Sequence, residues 1–544
     1  MVHLRPFYIG TTTTTTAAAT TTSGENISTI MYLYTPQILF FSFLFLLTFI
    51  FCISLKYSTT KSPSHSLTPP SPSKLPIIGH LHHLLTDMPH HTFAHLAHQL
   101  GPIIYLQLGR VPTVVISSSQ LARLVLKTHD HIFSSRPQLL AAQYLSFGCS
   151  DVTFSPYGPY WRQARKTCVT ELLSSKRVSS FQMIRDEEVN RLLSTVSAQG
   201  GSRTDMSKLF FGLANDILCR VAFGKRFMEG SEEGQKSHLV SVLTETQELF
   251  AGFCVGDFFP EWRWVNLVSG YKRRLMKNLE DLRSVCDEII EEHLKKKKKE
   301  KNSEDFVDVL LRVQQQDDLE VAITDDNLKA LVLDMFVAGT DTTSATLEWV
   351  MTELGRHPRV LKKAKEEVRR VASGSGKVQE SHLQQLFYLK AVIKETLRLH
   401  PPVPLLVPRE SIDKCILDGY EIPAKTRILI NSYAIGRDPK SWDNPLEYIP
   451  ERFEENNIHF KDRDFNFLPF GGGRRACPGY MFGLATVEMA LARLLYHFDW
   501  ALPQGVEAED VDLQEIFGLA TRKKTALELV PTANKDYELK GNHA

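Results

Sequence analysis

The sequence predicts a mainly α-helical protein with small β-sheets, an α+β class, and three observations carry that expectation. Residues 324–356 have helix punctuation at both ends: Thr324 as a cap, Asp325 and Asp326 in the first turn, Pro358 as the stop. Within them, Leu331 to Ala338 is apolar nearly all round, which marks a helix buried on every side. Strand signals, by contrast, are short: Ile416-Leu417, the turn Asp418-Gly419, Tyr420 to Ile422, and Arg427 to Ile430. At 1.5 Å per residue, about 33 helical residues span roughly 50 Å, enough to traverse a large domain. A second helix is predicted from Ser381, with Gln384 completing a capping box, up to Pro401-Pro402.

Composition fits a large globular chain. Of 544 residues 43% are apolar, and 63 Lys plus Arg stand against 62 Asp plus Glu, a net charge of +1. That balance leaves no electrostatic footprint for nucleic acid. Eight Cys are too sparse for a disulfide-built scaffold.

The front of the chain departs from this average. Residues 1–30, with the Thr11 to Thr16 homopolymer, read as a disordered Thr-rich extension, which makes Met31 a candidate start. A transit peptide is the alternative, and Arg5 is its only Arg. Residues 31–56 read as a transmembrane anchor. No charge occurs from Asn26 to Leu55, and Ile38 to Leu55 is dense in Leu, Phe and Ile. A cleaved signal peptide fits less well, because no A-x-A-like site follows. Lys56, Lys61 and Lys74 follow the span and by the positive-inside rule put the body in the cytosol. Residues 57–75 read as a stiff Pro/Ser-rich linker, 76–531 as one folded domain, and 532–544 as a polar tail. Lys295 to Lys299 reads as a solvated loop.

The chemistry is concentrated in Phe470-Gly471-Gly472-Gly473-Arg474-Arg475-Ala476-Cys477-Pro478-Gly479, which leads into an apolar helical stretch, Tyr480 to Leu495. A Cys near a helix N-terminus and flanked by cations is expected to have a depressed pKa. By position alone it is a nucleophile, a metal ligand or an inert core thiol. No His–Asp arrangement is tied to Cys477, which disfavours a Cys-nucleophile hydrolase.

The fuller pattern is Phe-x-x-Gly-x-Arg-x-Cys-x-Gly, met by Phe470, Gly473, Arg475, Cys477 and Gly479. It resembles the haem-binding signature of the cytochrome P450 superfamily, and the resemblance covers roughly Leu75 to Pro531. It implies the cytochrome P450 fold behind an N-terminal transmembrane helix. It implies haem b with the Cys477 thiolate as axial iron ligand, a ligand whose electron donation favours O–O cleavage. Further matches follow in the family's order. Glu395, Arg398 and Arg452 resemble its Glu-Arg-Arg structural triad. Ala338-Gly339-Thr340-Asp341-Thr342-Thr343 resembles its oxygen-activation motif, implying Asp341 and Thr342 as the catalytic acid–alcohol pair. Trp161 and Arg165 resemble its Trp-x-x-x-Arg element, and with Arg409 and Arg475 they are implied propionate partners.

The anchor, the Pro-rich segment and the wording of these motifs resemble a plant microsomal A-type monooxygenase of the endoplasmic reticulum. That implies electrons from NADPH through a flavoprotein reductase, docked on a basic patch of Arg162, Lys166, Lys461, Arg463 and Arg474. Substrate contacts, carried over by position, are Leu140, Phe147, Phe250, Phe336, Val337, Val403, Leu406, Phe517 and Leu519. Their apolar character points to a lipophilic substrate such as a terpenoid or phenolic. A haem-thiolate enzyme that rearranges or dehydrates without O2 is the first alternative, and a non-catalytic haem-binding membrane protein the second. The Asp341-Thr342 pair speaks against both.

Overall fold

A computed structural model of the chain describes residues 40–49, 67–86, 88–226, 233–252, 254–262, 264–296, 304–455, 458, 460 and 464–537. Four helices frame the site and are labelled in chain order: α1 (Met206–Phe223), α2 (Asp325–Arg356), α3 (Phe387–Leu399) and α4 (Tyr480–His497). The longest, α2, begins where its capping chemistry sits. The Asn327 backbone N–H donates to Thr324 Oγ1 at 3.2 Å, and Asn327 Oδ1 in return accepts from the Thr324 N–H at 2.9 Å. Every residue of α2 from Leu328 to Val337 is buried, as its all-round apolarity predicts. It packs on α1, α3 and α4, so it runs through the core with helices on several sides.

The strands are few and short. A four-stranded sheet has β1 (Ile103–Leu108) antiparallel to β2 (Val111–Ile116), with Ile103 opposite Ile116. A later strand, β4 (Arg427–Ile430), runs parallel to β2, and the two-residue β3 (Arg409–Glu410) lies antiparallel to β4. The predicted hairpin around Asp418-Gly419 forms, pairing Cys415–Leu417 with Tyr420–Ile422. The fold class is therefore mainly helical with small sheets.

One boundary differs from expectation. Glu380–Gln385 is a 3-10 turn capped by Gln379, with His382 as its reciprocal partner, and α3 starts only at Phe387. Two overlapping capping patterns compete there, and the earlier one wins over Ser381 with Gln384.

The compact unit that carries the site starts at Leu67. The end of the predicted linker is pinned to it: the Tyr105 N–H donates to Pro70 at 2.8 Å, alongside β1. Of the predicted anchor only residues 40–49 are described; they form a helix with exposed Phe and Leu side chains. No helix among the described residues is long and apolar enough to cross a membrane. Residues 1–30 and the Lys297 to Lys299 part of the basic run lie outside the described residues.

Candidate active site

The Cys477 loop is built on a glycine that nothing else can replace. Gly473 has φ +65°, and a Cβ there would lie 2.3 Å from the Leu126 carbonyl oxygen and 2.5 Å from Asp130 Oδ1. The close approach lets Asp130 accept from the Arg474 backbone N–H at 3.1 Å and from Arg409 Nη1 at 2.9 Å. The Cys477 N–H closes the loop by donating to the Phe470 carbonyl at 2.9 Å. Among the described cysteines Cys477 alone is exposed, and its thiol opens into an internal cavity; the other six are buried. The expected depression of its pKa is not what the surroundings produce. Burial pushes the thiol up, against the pull of the Gly479 N–H and the Arg165 charge.

The cavity, about 290 Å³, is walled by the Cys477 loop, by Val337 to Gly339, Asp341 and Thr342 of α2, and by Phe250, Val403, Leu406 and Leu519. Phe250 stacks on Phe154 with centroids 5.3 Å apart. Four of the residues predicted by position lie elsewhere. Phe336 faces α1 and stacks on Phe223 at 6.3 Å. Phe147 is buried under Arg283, Phe517 is 40% exposed, and Leu140 borders a separate polar cavity with Asp257 and Arg427.

Asp341 is buried, and burial pushes its carboxyl pKa up; its Oδ1 has no hydrogen-bond partner. Thr342 Oγ1 donates back to the Ala338 carbonyl at 2.8 Å, inside an unbroken α2. Gly339 admits a neighbour: a Cβ there would sit 3.2 Å from Leu218 of α1.

Four guanidiniums line the same cavity: Arg136, Arg165, Arg409 and Arg475. Arg475 donates to the Ser134, Val152 and Ser155 carbonyls, and Arg136 to those of Thr153, Val407 and Pro408. Arg165 donates to the Ala476 carbonyl of the Cys loop. Arg409 alone among them is ion-paired, with Asp130. Burial and neighbouring guanidiniums lower Arg475 to about 9 and Arg136 well below the usual range. The nearby carboxyls do not offset this, because burial drives Asp151 and Asp334 up toward the neutral acid. Such a surplus of buried positive charge fits a bound group carrying carboxylates, and a thiol facing the same space fits an iron ligand. Both are what haem requires. Trp161 stands behind this set, its ring under Arg475 at 4.0 Å and its Nε1 donating to Val152 at 3.0 Å.

Arg136 was missed in the sequence, where a single Arg before Pro137 carries no spacing signal. The Glu-Arg-Arg set does converge. Arg398 forks onto Glu395 with two bonds of 2.7 Å, and Arg452 Nε adds a third at 3.1 Å. Of the predicted basic patch, Arg162 pairs with Glu320, Arg474 with Asp130, and Lys166 is exposed. Lys461 and Arg463 lie outside the described residues.

Known proteins resemble this chain over most of its length. Residues 69–528 match the family model described as Cytochrome P450. Tryptamine 5-hydroxylase of Oryza sativa subsp. japonica is 58% identical over 500 residues, which cover 90% of this chain and 95% of that protein. Desmethyl-deoxy-podophyllotoxin synthase of Sinopodophyllum hexandrum is 46% identical over 480 residues, covering 87% and 93%. A zebra fish cytochrome P450 structure with progesterone superposes with a TM-score of 0.70 at 27% identity, covering 82% of this chain and all of that one.

Proposed function

This chain belongs to the cytochrome P450 family and is a monooxygenase, and we propose that it inserts one atom of O2 into a lipophilic plant specialised metabolite with electrons from NADPH through a reductase. The observation that carries the reading is the convergence on one cavity of the Cys477 thiol, the Asp341-Thr342 pair and four guanidiniums. Haem, when bound, supplies the iron at which dioxygen is activated. Cys477 would be its protein ligand, and Arg136, Arg165, Arg409 and Arg475 would hold its carboxylates. Asp341, poised toward the protonated form by burial, would hold a proton at its carboxyl for delivery through the Thr342 hydroxyl. The apolar faces of Phe250, Val403, Leu406 and Leu519 would orient the substrate and exclude water.

Residues 31–56 would anchor the chain in the endoplasmic reticulum membrane, 57–75 would link, and 76–531 would form the cytosolic catalytic domain. The reductase would dock over Arg162, Lys166, Lys461, Arg463 and Arg474. The test is incubation of microsomes carrying the chain and a reductase with NADPH, 18O2 and a panel of terpenoids, phenolics and arylalkylamines. The last class enters because of the 58% identical tryptamine 5-hydroxylase. The expected result is one labelled oxygen per product. Turnover without NADPH and O2 would overturn the reading.

A further inference from the structure

We propose that the chain holds a second metal site, for a divalent cation of the zinc class, made by His90, His91 and Glu515, with His400 at its edge. Three segments remote in sequence meet there. His90 and His91 lie in the first turn of the helix Pro89–Leu100, His400 caps the end of α3, and Glu515 opens the strand Glu515–Ile516. Glu515 Oε2 lies 2.9 Å from His90 Nε2 and 3.4 Å from His91 Nε2, and Oε1 lies 4.0 Å from His400 Nδ1. A tetrahedral ion bound at about 2.0–2.1 Å spaces its ligand atoms about 3.3 Å apart. The ligand atoms of His90, His91 and Glu515 all lie within 4.8 Å of one another, and the two distances to Glu515 Oε2 bracket that spacing. Two imidazoles and a carboxylate are also donor types that zinc takes, with the fourth position left to water.

His400 provides an independent argument. The residue is 7% exposed, and its Nδ1 makes no hydrogen bond although it faces Glu515. Its other nitrogen, Nε2, is bonded to Glu353 Oε1 at 2.7 Å. A buried ring nitrogen left bare beside the Glu515 carboxylate is a polar atom that a bound group or its water would satisfy. Trp349 stacks on the ring at 4.0 Å and fixes its plane. Tyr433 packs on both His90 and His91, and Arg437 lies over its ring at 3.7 Å.

None of the four residues lines the Cys477 cavity, so this site is separate from the one already described. It is nevertheless mechanically close. Glu515 leads to Leu519 and His400 to Val403, both on the cavity wall. A bound ion would tie the Pro89–Leu100 helix to the Glu515 segment and so steady the wall at Leu519.

The experiment uses the haem-loaded full chain without a polyhistidine tag, stripped with chelator, gel-filtered and titrated with Zn(II). Retained zinc is measured by elemental mass spectrometry and affinity by calorimetry. One equivalent is expected, with affinity falling at least tenfold in His91→Ala and in Glu515→Gln. The His91 side chain is 45% exposed, so His91→Ala removes a ligand without opening the core. The double variant His82→Ala, His83→Ala, which removes another pair of adjacent histidines, is expected to bind like the parent. No retained equivalent, undiminished affinity in His91→Ala and Glu515→Gln, or loss only in the His82, His83 variant would each overturn the proposal. The cluster would then be a hydrogen-bonded strut.

Discussion

Asp341 Oδ1 lies 3.9 Å from Arg522 Nη1, and the two ends of that contact sit in different surroundings: Asp341 is 2% exposed, the Arg522 side chain 44%. Burial raises the carboxyl pKa and the guanidinium lowers it, so Arg522 tunes how readily Asp341 gives up a proton. Removing the cation by Arg522→Ala is expected to raise the Asp341 pKa further. Product formation should fall up to about tenfold, and NADPH consumed per product should rise. Asp341→Asn should cost about a hundredfold or more, the range for a lost proton-transfer group. Both variants should keep the parent carbon-monoxide difference spectrum. Unchanged product rates in Asp341→Asn would remove this residue from the proton path.

The Glu395–Arg398 pair is fully buried, and Arg398 also donates to the Gly436, Pro445 and Glu447 carbonyls. Removing one partner strands the other charge in the core, at a cost of about 3–5 kcal/mol. Arg398→Ala should therefore give little haem-loaded protein. Arg398→Lys replaces a fork with a point charge and should fold with a lowered thermal midpoint. Arg452→Lys should be milder, because Arg452 makes one bond to Glu395 where Arg398 makes two. Haem content per chain and melting temperature rank the three.

How much of this was legible in the sequence depends on whether the signal was local. Helix α2 was, because its cap and stop residues sit within a few positions of its ends. The hairpin at Asp418-Gly419 and the Cys477 loop were legible for the same reason. The direction of side chains around an all-apolar helix was not. Val337 lines the cavity while its neighbour Phe336 turns toward Phe223, and periodicity cannot separate faces when every face is apolar. The pKa of Cys477 was misread because flanking Arg residues are visible in sequence and burial is not. Arg136 was invisible alone; its meaning comes from Arg409 and Arg475, more than 270 positions away.

That separation makes Arg136 a sharp test of the charge argument. Its guanidinium is buried and repelled by Arg475 and Arg409, which works against the haem-free chain. A bound group with carboxylates would reverse the sign of that contribution. Arg136→Met keeps much of the volume and removes the charge. The stabilisation gained on adding haem, read as the melting shift between haem-free and haem-loaded protein, should be smaller in the variant. Equal shifts in parent and variant would mean that Arg136 serves only to tie the Thr153 and Val407 carbonyls together.

Glu488 offers a pH-dependent prediction with a defined sign. It lies on α4 near Lys390 and Lys394, and burial outweighs both cations, raising its pKa to about 7. Between the ordinary carboxyl value of about 4.5 and 7, the folded chain binds a proton that the unfolded chain releases. Stability from this group is therefore greatest below about 4.5, falls as pH rises through the window, and is fully lost above 7. Glu488→Gln removes the titration. The parent and the variant should have similar midpoints near pH 4.5, and the variant should lead by about 1–3 kcal/mol at pH 8. Denaturation midpoints taken from pH 5 to 8 give the difference directly. Parallel curves across that range would mean that Lys390 and Lys394 keep Glu488 ionised throughout, and that its burial costs the fold nothing.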